Sequence, residues 1–261
     1  MNRLDVLSRR NYDYWLKRAG SYSKVNQDEL LGVQRQNWSN LLDEEIRDHF
    51  NIEESERSRL KILDIGAGPG FISIILSKLG YNVTAADFSE AMLDEARANA
   101  DHEAKKITFK QENALNLTFE DSQFDVVLSR NLTWNLSDPK TAYSEWIRVL
   151  KQDGCMMVFD ANWYAYLEDE ESYRLYEQDR ENSKAHGEGD YNIGENFDIM
   201  EDIARVLPLT GMNRPEWDEK VLNEFNVKDI KLVEDIGSQV YSEKERVNYA
   251  STPMFMIKVR K

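Results

Sequence analysis

Lys61-Ile-Leu-Asp-Ile-Gly-Ala-Gly-Pro-Gly-Phe71 is the stretch from which the fold can be read. Lys61 to Ile65 is a short apolar run of strand length, and Phe71 to Leu79 continues with helical spacing until Gly80 closes it. A glycine turn between strand and helix lets the backbone bend tightly and approach a ligand, while the helix N-terminus presents free N–H groups. The dinucleotide fingerprint Gly-x-Gly-x-x-Gly or Ala falls in the same place. Here its third position is Phe71, the spacing is Gly66-x-Gly68-x-Gly70, and Asp64 precedes the first glycine. Asp87 then ends the next apolar run, where a carboxylate can accept hydrogen bonds from both hydroxyls of a ribose. That points to a nucleoside ligand without choosing between nicotinamide and sulfonium cofactors. The bland alternative, a cap for the helix beginning at Ser89, is better filled by Ser89 itself.

Outward from this unit, strand and helix alternate. Asn82 to Ala86, Ile107 to Gln111, Phe124 to Ser129 and Cys155 to Phe159 read as strands. Helices follow Ser89 and Asp138, the latter with Pro139 at its first position and Tyr143, Trp146, Ile147 and Leu150 on its inner face. Such alternation predicts a parallel sheet covered on both sides. Upstream, residues 1–58 are helical in pattern, with Trp38, Leu42, Ile46 and Phe50 at four-residue steps and Asn26 with Glu29 resembling a capping box. Downstream, residues 161–226 lose the rhythm. From Ala161 to Met200 eleven acidic residues face three basic ones, interleaved with Tyr164, Tyr166, Tyr173, Tyr176 and Tyr191. A helix from Pro215 to Phe225, a strand near Asp229 to Glu234 and another near Met254 to Val259 complete the reading. Four segments are therefore expected: a helical lid (1–58), a cofactor core (59–160), an acidic insert covering the substrate (161–226), and strands completing the sheet (227–261).

With 261 residues, one domain with elaborations is the best prior. A net charge of −15 repels phosphate backbones and anionic lipid, so nucleic acid and membrane are poor partners and a small molecule is favoured. One cysteine, Cys155, excludes an internal disulfide and fits a reducing cytoplasmic setting as a buried thiol. No signal-peptide or transmembrane run is visible. His49, His102 and His186 have no catalytic neighbours in the sequence, no metal-ligand set stands out, and self-association stays open.

Residues 59–160 resemble the core of class I S-adenosylmethionine-dependent methyltransferases, in particular the small-molecule group that includes the ubiquinone and menaquinone C-methylases. The resemblance rests on Leu63-Asp-Ile-Gly-Ala-Gly-Pro-Gly70, Ala86-Asp-Phe-Ser-Glu-Ala-Met92, Glu112-Asn-Ala114, Phe124-Asp-Val-Val-Leu-Ser-Arg-Asn131 and Glu145-Trp-Ile-Arg-Val-Leu-Lys-Gln-Asp-Gly154. It implies a Rossmann-like α/β three-layer sandwich around a mostly parallel seven-stranded sheet, with S-adenosyl-L-methionine as cofactor. Gly66, Ala67, Gly68 and Gly70 would lie along its methionine part, with Asp64 orienting the loop. Asp87 would hold the ribose, Phe88 and Met92 would sandwich the adenine, and Asn113-Ala114 would read its edge. Arg130 and Tyr22 complete the expected cofactor set. The family usually has Asp where Asn113 stands, which alters the hydrogen-bond roles available there.

The acceptor side is less defined. A sulfonium methyl is already activated, so alignment and water exclusion are the main requirements. Walls should come from the carboxyl ends of the fourth and fifth strands. These are Arg130-Asn-Leu-Thr-Trp134 and Asp160-Ala-Asn-Trp-Tyr164. Asn131, Trp134, Asn162 and Trp163 are the substrate candidates there, with Tyr14, Trp15 and Arg18 from the lid, and Asp160 is the candidate base. Ordinary packing or capping is the competing role for each. Asn131-Leu-Thr-Trp134 lacks the two prolines carried at this place by nucleic-acid amino-methylases. The reading is methyl transfer to a small molecule; a nicotinamide-dependent oxidoreductase or a non-catalytic adenosyl-ligand binder are the alternatives.

Overall fold

The computed structural model describes residues 3–187, 197–225 and 227–261. Tyr191, counted above among the insert's aromatics, lies outside them. Seven strands form one sheet: β1 (Lys61–Ile65), β2 (Asn82–Asp87), β3 (Thr108–Gln111), β4 (Phe124–Arg130), β5 (Leu150–Asp160), β6 (Lys228–Val233) and β7 (Phe255–Arg260), in the order β3-β2-β1-β4-β5-β7-β6. The first five run parallel, while β7 is antiparallel to both β5 and β6. Strand order reverses between β1 and β4, which opens a crevice at the carboxyl ends of the strands.

Helices α1 (Arg3–Leu31), α2 (Val33–Phe50), α3 (Phe71–Leu79), α4 (Glu90–Ala100) and α5 (Pro139–Val149) precede β5, and α6 (Glu170–Ala185), α7 (Phe197–Ala204) and α8 (Glu216–Asn223) follow it. Two short helices, α9 (Gly237–Val240) and α10 (Glu243–Asn248), link β6 to β7. Local chemistry sets their ends. Ser89 accepts from the Met92 N–H ahead of α4, Asp138 accepts from Thr141 N–H ahead of α5, and Gly80 ends α3 at φ 98°.

Side-chain alternation along the strands divides the core between the two faces. Ile62, Val126 and Met157 pack with α2 and α3 through Trp38, Leu42, Ile46 and Ile74. Leu63, Val127 and Val158 pack with α5 and α8 through Tyr143, Trp146 and Leu222. This makes a three-layer α/β sandwich of Rossmann-like type.

Two sequence expectations change. The helix expected to start near Asn26 begins at Val33, because the chain breaks at Gly32 instead; Asn26 and Glu29 lie within α1 and bond each other at 3.1 Å. The segment 1–58 also divides by packing: α2 covers the sheet, whereas α1 lies across α4, where Ser23 and Gln27 meet Asn99. Leu7 and Tyr14 of α1 are buried with Met200, Ile203 and Leu207 around α7, so lid and insert share a small apolar core of their own. No helix among the described residues is long and apolar enough to cross a membrane.

Candidate active site

The glycine turn is held from below by backbone bonds to β2. Gly66 and Ala67 N–H both donate to the Ala86 carbonyl, at 2.8 and 3.0 Å. Gly66 sits at φ 68°, and a Cβ there would come within 2.7 Å of Leu132. Only glycine satisfies both conditions. Asp64 is buried beneath the turn, accepting from Ser73 Oγ at 2.6 Å and so tying β1 to α3. Burial pushes its carboxyl up to about 7 against the pull of the Ser73 hydrogen bond. Asp87 accepts from Gly68 N–H at 2.9 Å and from Ser89 N–H at 2.8 Å, one bond per carboxylate oxygen. Each oxygen keeps acceptor capacity for a further donor. Asp87 thus fastens the turn and begins the α4 loop, doing part of the capping work weighed against its ligand role.

Above this turn lies an open cleft. Gly66, Gly68 and Asp87 line it, with Phe88 and Met92 beyond them. Asn113, Ala114, Arg130 and Tyr22 complete the expected residues that the fold brings here. Asp64, Ala67 and Gly70 do not line it. Asp64 lies behind the turn, Ala67 turns its N–H to β2, and Gly70 packs so closely on α4 that a Cβ would stand 2.9 Å from that of Ala96. The Ala114 carbonyl is taken by Trp146 Nε1 at 3.0 Å, and Asn113 Oδ1 accepts from Leu115 N–H at 2.9 Å, so this loop arrives already shaped.

Arg130, at the end of β4, forms a buried ion pair with Glu29 of α1 and lies over the rings of Trp38 and Phe71, with centroids at 5.1 and 4.8 Å. Burial alone would lower the guanidinium pKa, but the Glu29 carboxylate overrides it and holds Arg130 above its ordinary range. The pair pins the lid helix to the sheet. Glu29 was assigned only to a cap in the sequence, since its partner lies 101 residues away. Ser8, Asn11 and Tyr12 of α1 also line the cleft unannounced, with Tyr12 edge-on to Phe88 at 5.0 Å. Five lining residues carry a buried polar atom without a hydrogen-bond partner: Asn11, Trp15, Arg130, Asn131 and Asn135. Buried polar atoms are normally paired, so such a concentration fits a cleft shaped for a polar ligand such as the expected cofactor.

A second space of about 570 Å³ adjoins the first and shares Trp15, Tyr22 and Asn131 with it. Its other walls are Trp134, Trp163, Tyr164, Tyr166 and Tyr249. Trp134 packs on Tyr164 at 5.1 Å, and Trp163 meets Tyr249 edge-on at 5.2 Å. Asn131, at the junction, has φ 56°, a conformation uncommon for a residue with a side chain. Trp15, Asn131, Trp134 and Trp163 are therefore brought together as expected, whereas Tyr14, Arg18 and Asn162 line neither space. Tyr14 faces α7, and Asn162 Nδ2 donates to the Arg214 carbonyl at 2.9 Å. Tyr166 and Tyr249 are additions. They come from the insert and from the end of α10, where no spacing signal marked them.

Asp160 does not meet the requirements of a base. It is wholly buried and accepts five hydrogen bonds: from Thr133 Oγ1, Trp134 N–H, Ala161 N–H, Trp163 Nε1 and Arg214 Nη1. Arg214, equally buried, also binds Asp218 through Nε and Nη2, both at 2.8 Å, and Asp218 accepts from Tyr143 Oη at 2.5 Å. Asp160 is a positioning group that holds the Trp134 backbone and the Trp163 indole of the aromatic walls, and its key partner arrives from 54 residues downstream.

Comparison with known proteins agrees with this geometry. Residues 63–158 match the family model described as a methyltransferase domain. The chain is 30% identical over 168 residues to the ubiquinone/menaquinone biosynthesis C-methyltransferase of Zymomonas mobilis, covering 63% of this chain and 64% of that protein. It is 33% identical over 119 residues to the ubiquinone biosynthesis O-methyltransferase of Maricaulis maris, covering 45% and 47%. The matches thus span about half to two thirds of these relatives' lengths. In fold it is similar to a candidate S-adenosyl-L-methionine-dependent methyltransferase of Methanococcus maripaludis, with a TM-score of 0.56 and 23% identity over 92% of this chain and 91% of that one. The glycine turn, the acidic end of β2 and the matched core together make residues 63–158 similar to a methyltransferase domain, with the quinone methylases among the relatives it resembles.

Proposed function

We propose that the protein transfers the methyl group of S-adenosylmethionine to a small-molecule acceptor. The observation that carries this reading is the continuity of the two spaces: a cleft over the glycine turn and an aromatic pocket that share Trp15, Tyr22 and Asn131. Such a junction is where a donated methyl group would pass from one to the other. The bound cofactor would supply a methyl carbon already activated by sulfonium charge. The chain's own residues have to hold, align and dehydrate.

Asp87 accepts the ribose hydroxyls with its remaining lone pairs, and Phe88 with Met92 encloses the adenine. The backbone of Asn113 and Ala114 faces the adenine edge. Gly66 and Gly68 leave room along the methionine chain, where Tyr22 and the unpartnered Nε of Arg130 offer donors. Segment 161–226 with α1 forms the acceptor cover. The net charge of −15 disfavours nucleic acid as acceptor, and the buried thiol of Cys155, pushed up to about 12 by burial, fits an inert residue in a reducing cytoplasm.

Calorimetry tests the reading first: S-adenosylmethionine and S-adenosylhomocysteine are expected to bind, and a nicotinamide dinucleotide is not. Tight dinucleotide binding would overturn it. Turnover of isotope-labelled cofactor with a metabolite extract, followed by mass spectrometry, then separates an enzyme from a mere binder.

A further inference from the structure

We propose that the acceptor is an amine, seated in the aromatic pocket with its nitrogen at Asn131 and methylated there to a more substituted ammonium. This rests on the methyltransferase reading above and adds the class of acceptor.

Seven of the eight residues lining the pocket are aromatic, and the eighth is Asn131. Trp134 Nε1 donates to the Asn131 carbonyl at 3.1 Å and Trp163 Nε1 to Asp160 at 3.2 Å, so both indole donors are spent on protein groups. Aromatic faces carry negative quadrupole charge and attract cations. The charges set behind these walls have the same preference. Tyr166 Oη donates to Glu201 at 2.7 Å, which places a carboxylate at the back of its ring. Behind Trp134 and Trp163, Asp160 and Asp218 share the single guanidinium of Arg214. Two opposing charges stand outside the lining: Arg18, acting on Tyr22 and Tyr164, and Arg180, which lies over Tyr176 behind Tyr166 and donates to the Asn248 carbonyl. Glu29 and Arg130 offset one another.

The chemistry follows from this arrangement. A phenolate, enolate or carbanion acceptor would bring negative charge against electron-rich rings and buried carboxylates. It would also need a base, and among the described residues no carboxylate, imidazole or lysine lines the pocket. Burial raises the phenols of Tyr22, Tyr164 and Tyr166, so they stay protonated and offer no phenolate as a base. An amine needs neither. Its ammonium form loses a proton to water, the nitrogen lone pair attacks the methyl carbon, and the carbon–sulfur bond breaks with its electron pair left on sulfur. Positive charge passes from sulfur to nitrogen, so it moves into the aromatic walls as the transition state forms. Where the acceptor keeps an N–H, the unpartnered Oδ1 of Asn131 can accept it and aim the lone pair.

The test compares a charged probe with its uncharged carbon isostere, choline against 3,3-dimethylbutan-1-ol, by tryptophan fluorescence on the full chain saturated with S-adenosylhomocysteine. Choline is expected to bind at least about tenfold more tightly, and Trp134→Leu to weaken it by about 2- to 30-fold while Trp134→Phe, which keeps an aromatic face, restores most of it. Equal affinities for the two probes, or equal loss in the Leu and Phe variants, would overturn the proposal. The acceptor arm offers 2-(dimethylamino)ethanol and 4-methylphenol with labelled cofactor. Methylation of the phenol in preference to the amine would overturn it as well. Failure of the methyltransferase reading is distinct, since it would appear as absent S-adenosylhomocysteine binding before any probe is added.

Discussion

The cofactor cleft and the aromatic pocket touch, yet they are built in opposite ways. The floor of the cleft is made largely of backbone: Gly66 and Ala67 N–H bonded to β2, Gly68 N–H bonded to Asp87, and loops that follow immediately from β1, β2 and β3, with side chains of α1 and Arg130 closing it from above. The pocket is made of side chains from α1, the segment after β4, the segment after β5 and the end of α10. Backbone geometry is encoded over a few neighbouring residues, whereas a wall of side chains from four distant segments exists only once all four are packed. The floor of the cleft is therefore locally determined and the aromatic pocket globally determined, so damage should spread differently from each.

The largest effect is expected where that global dependence is concentrated. Arg214→Leu would leave Asp160 and Asp218 buried without their cation, at a cost of about 3–5 kcal/mol. Urea unfolding followed by circular dichroism should show this loss, with the Trp134 and Trp163 walls released together. A change under about 1 kcal/mol would show that the pocket does not depend on the network.

Asp87→Ala comes next. It removes charged hydrogen bonds of about 1.5–3 kcal/mol, so cofactor affinity should fall by about 10- to 100-fold. An unchanged dissociation constant would reduce Asp87 to the loop fastener that its bonds to Gly68 and Ser89 already make it.

Trp134→Ala should cut turnover while cofactor affinity stays within about threefold, because Trp134 lines the aromatic pocket and not the cofactor cleft. Collapse of both quantities in a folded variant would erase the distinction between the two spaces.

The last effect concerns pH. Asp64 is raised to about 7 in the folded chain, against about 3.9 when unfolded. Its protonated form is favoured on folding, so the stability it contributes is present below about pH 4 and is lost as pH rises toward 7. Asp64→Asn should flatten this part of the dependence of Tm on pH. A profile as steep as that of the parent chain would assign the dependence to other groups.

The parallel core was legible because its signals are short in range. A five-residue apolar run, three glycines at alternate positions, Ser89 and Asp138 at helix starts and Gly80 at a helix end each act within a few residues. The same locality made Gly66, Gly68, Asp87, Phe88 and Met92 readable as residues that line the cleft. Three others of that motif, Asp64, Ala67 and Gly70, belong to it but stand behind the turn, since consecutive residues of a tight turn cannot all face one ligand. What the sequence determined by itself was thus the order of strands and helices in the core and the glycine turn with the acidic end of β2 beside it. Only the tertiary structure decided that Glu29 serves Arg130 rather than a helix start. It also turned Asp160 into a buried acceptor for Arg214, and set Tyr166 and Tyr249 beside Trp134. Each of these depends on a partner distant in sequence. A charge or ring reveals its role only when packing has supplied its partner and removed the water that would otherwise have satisfied it.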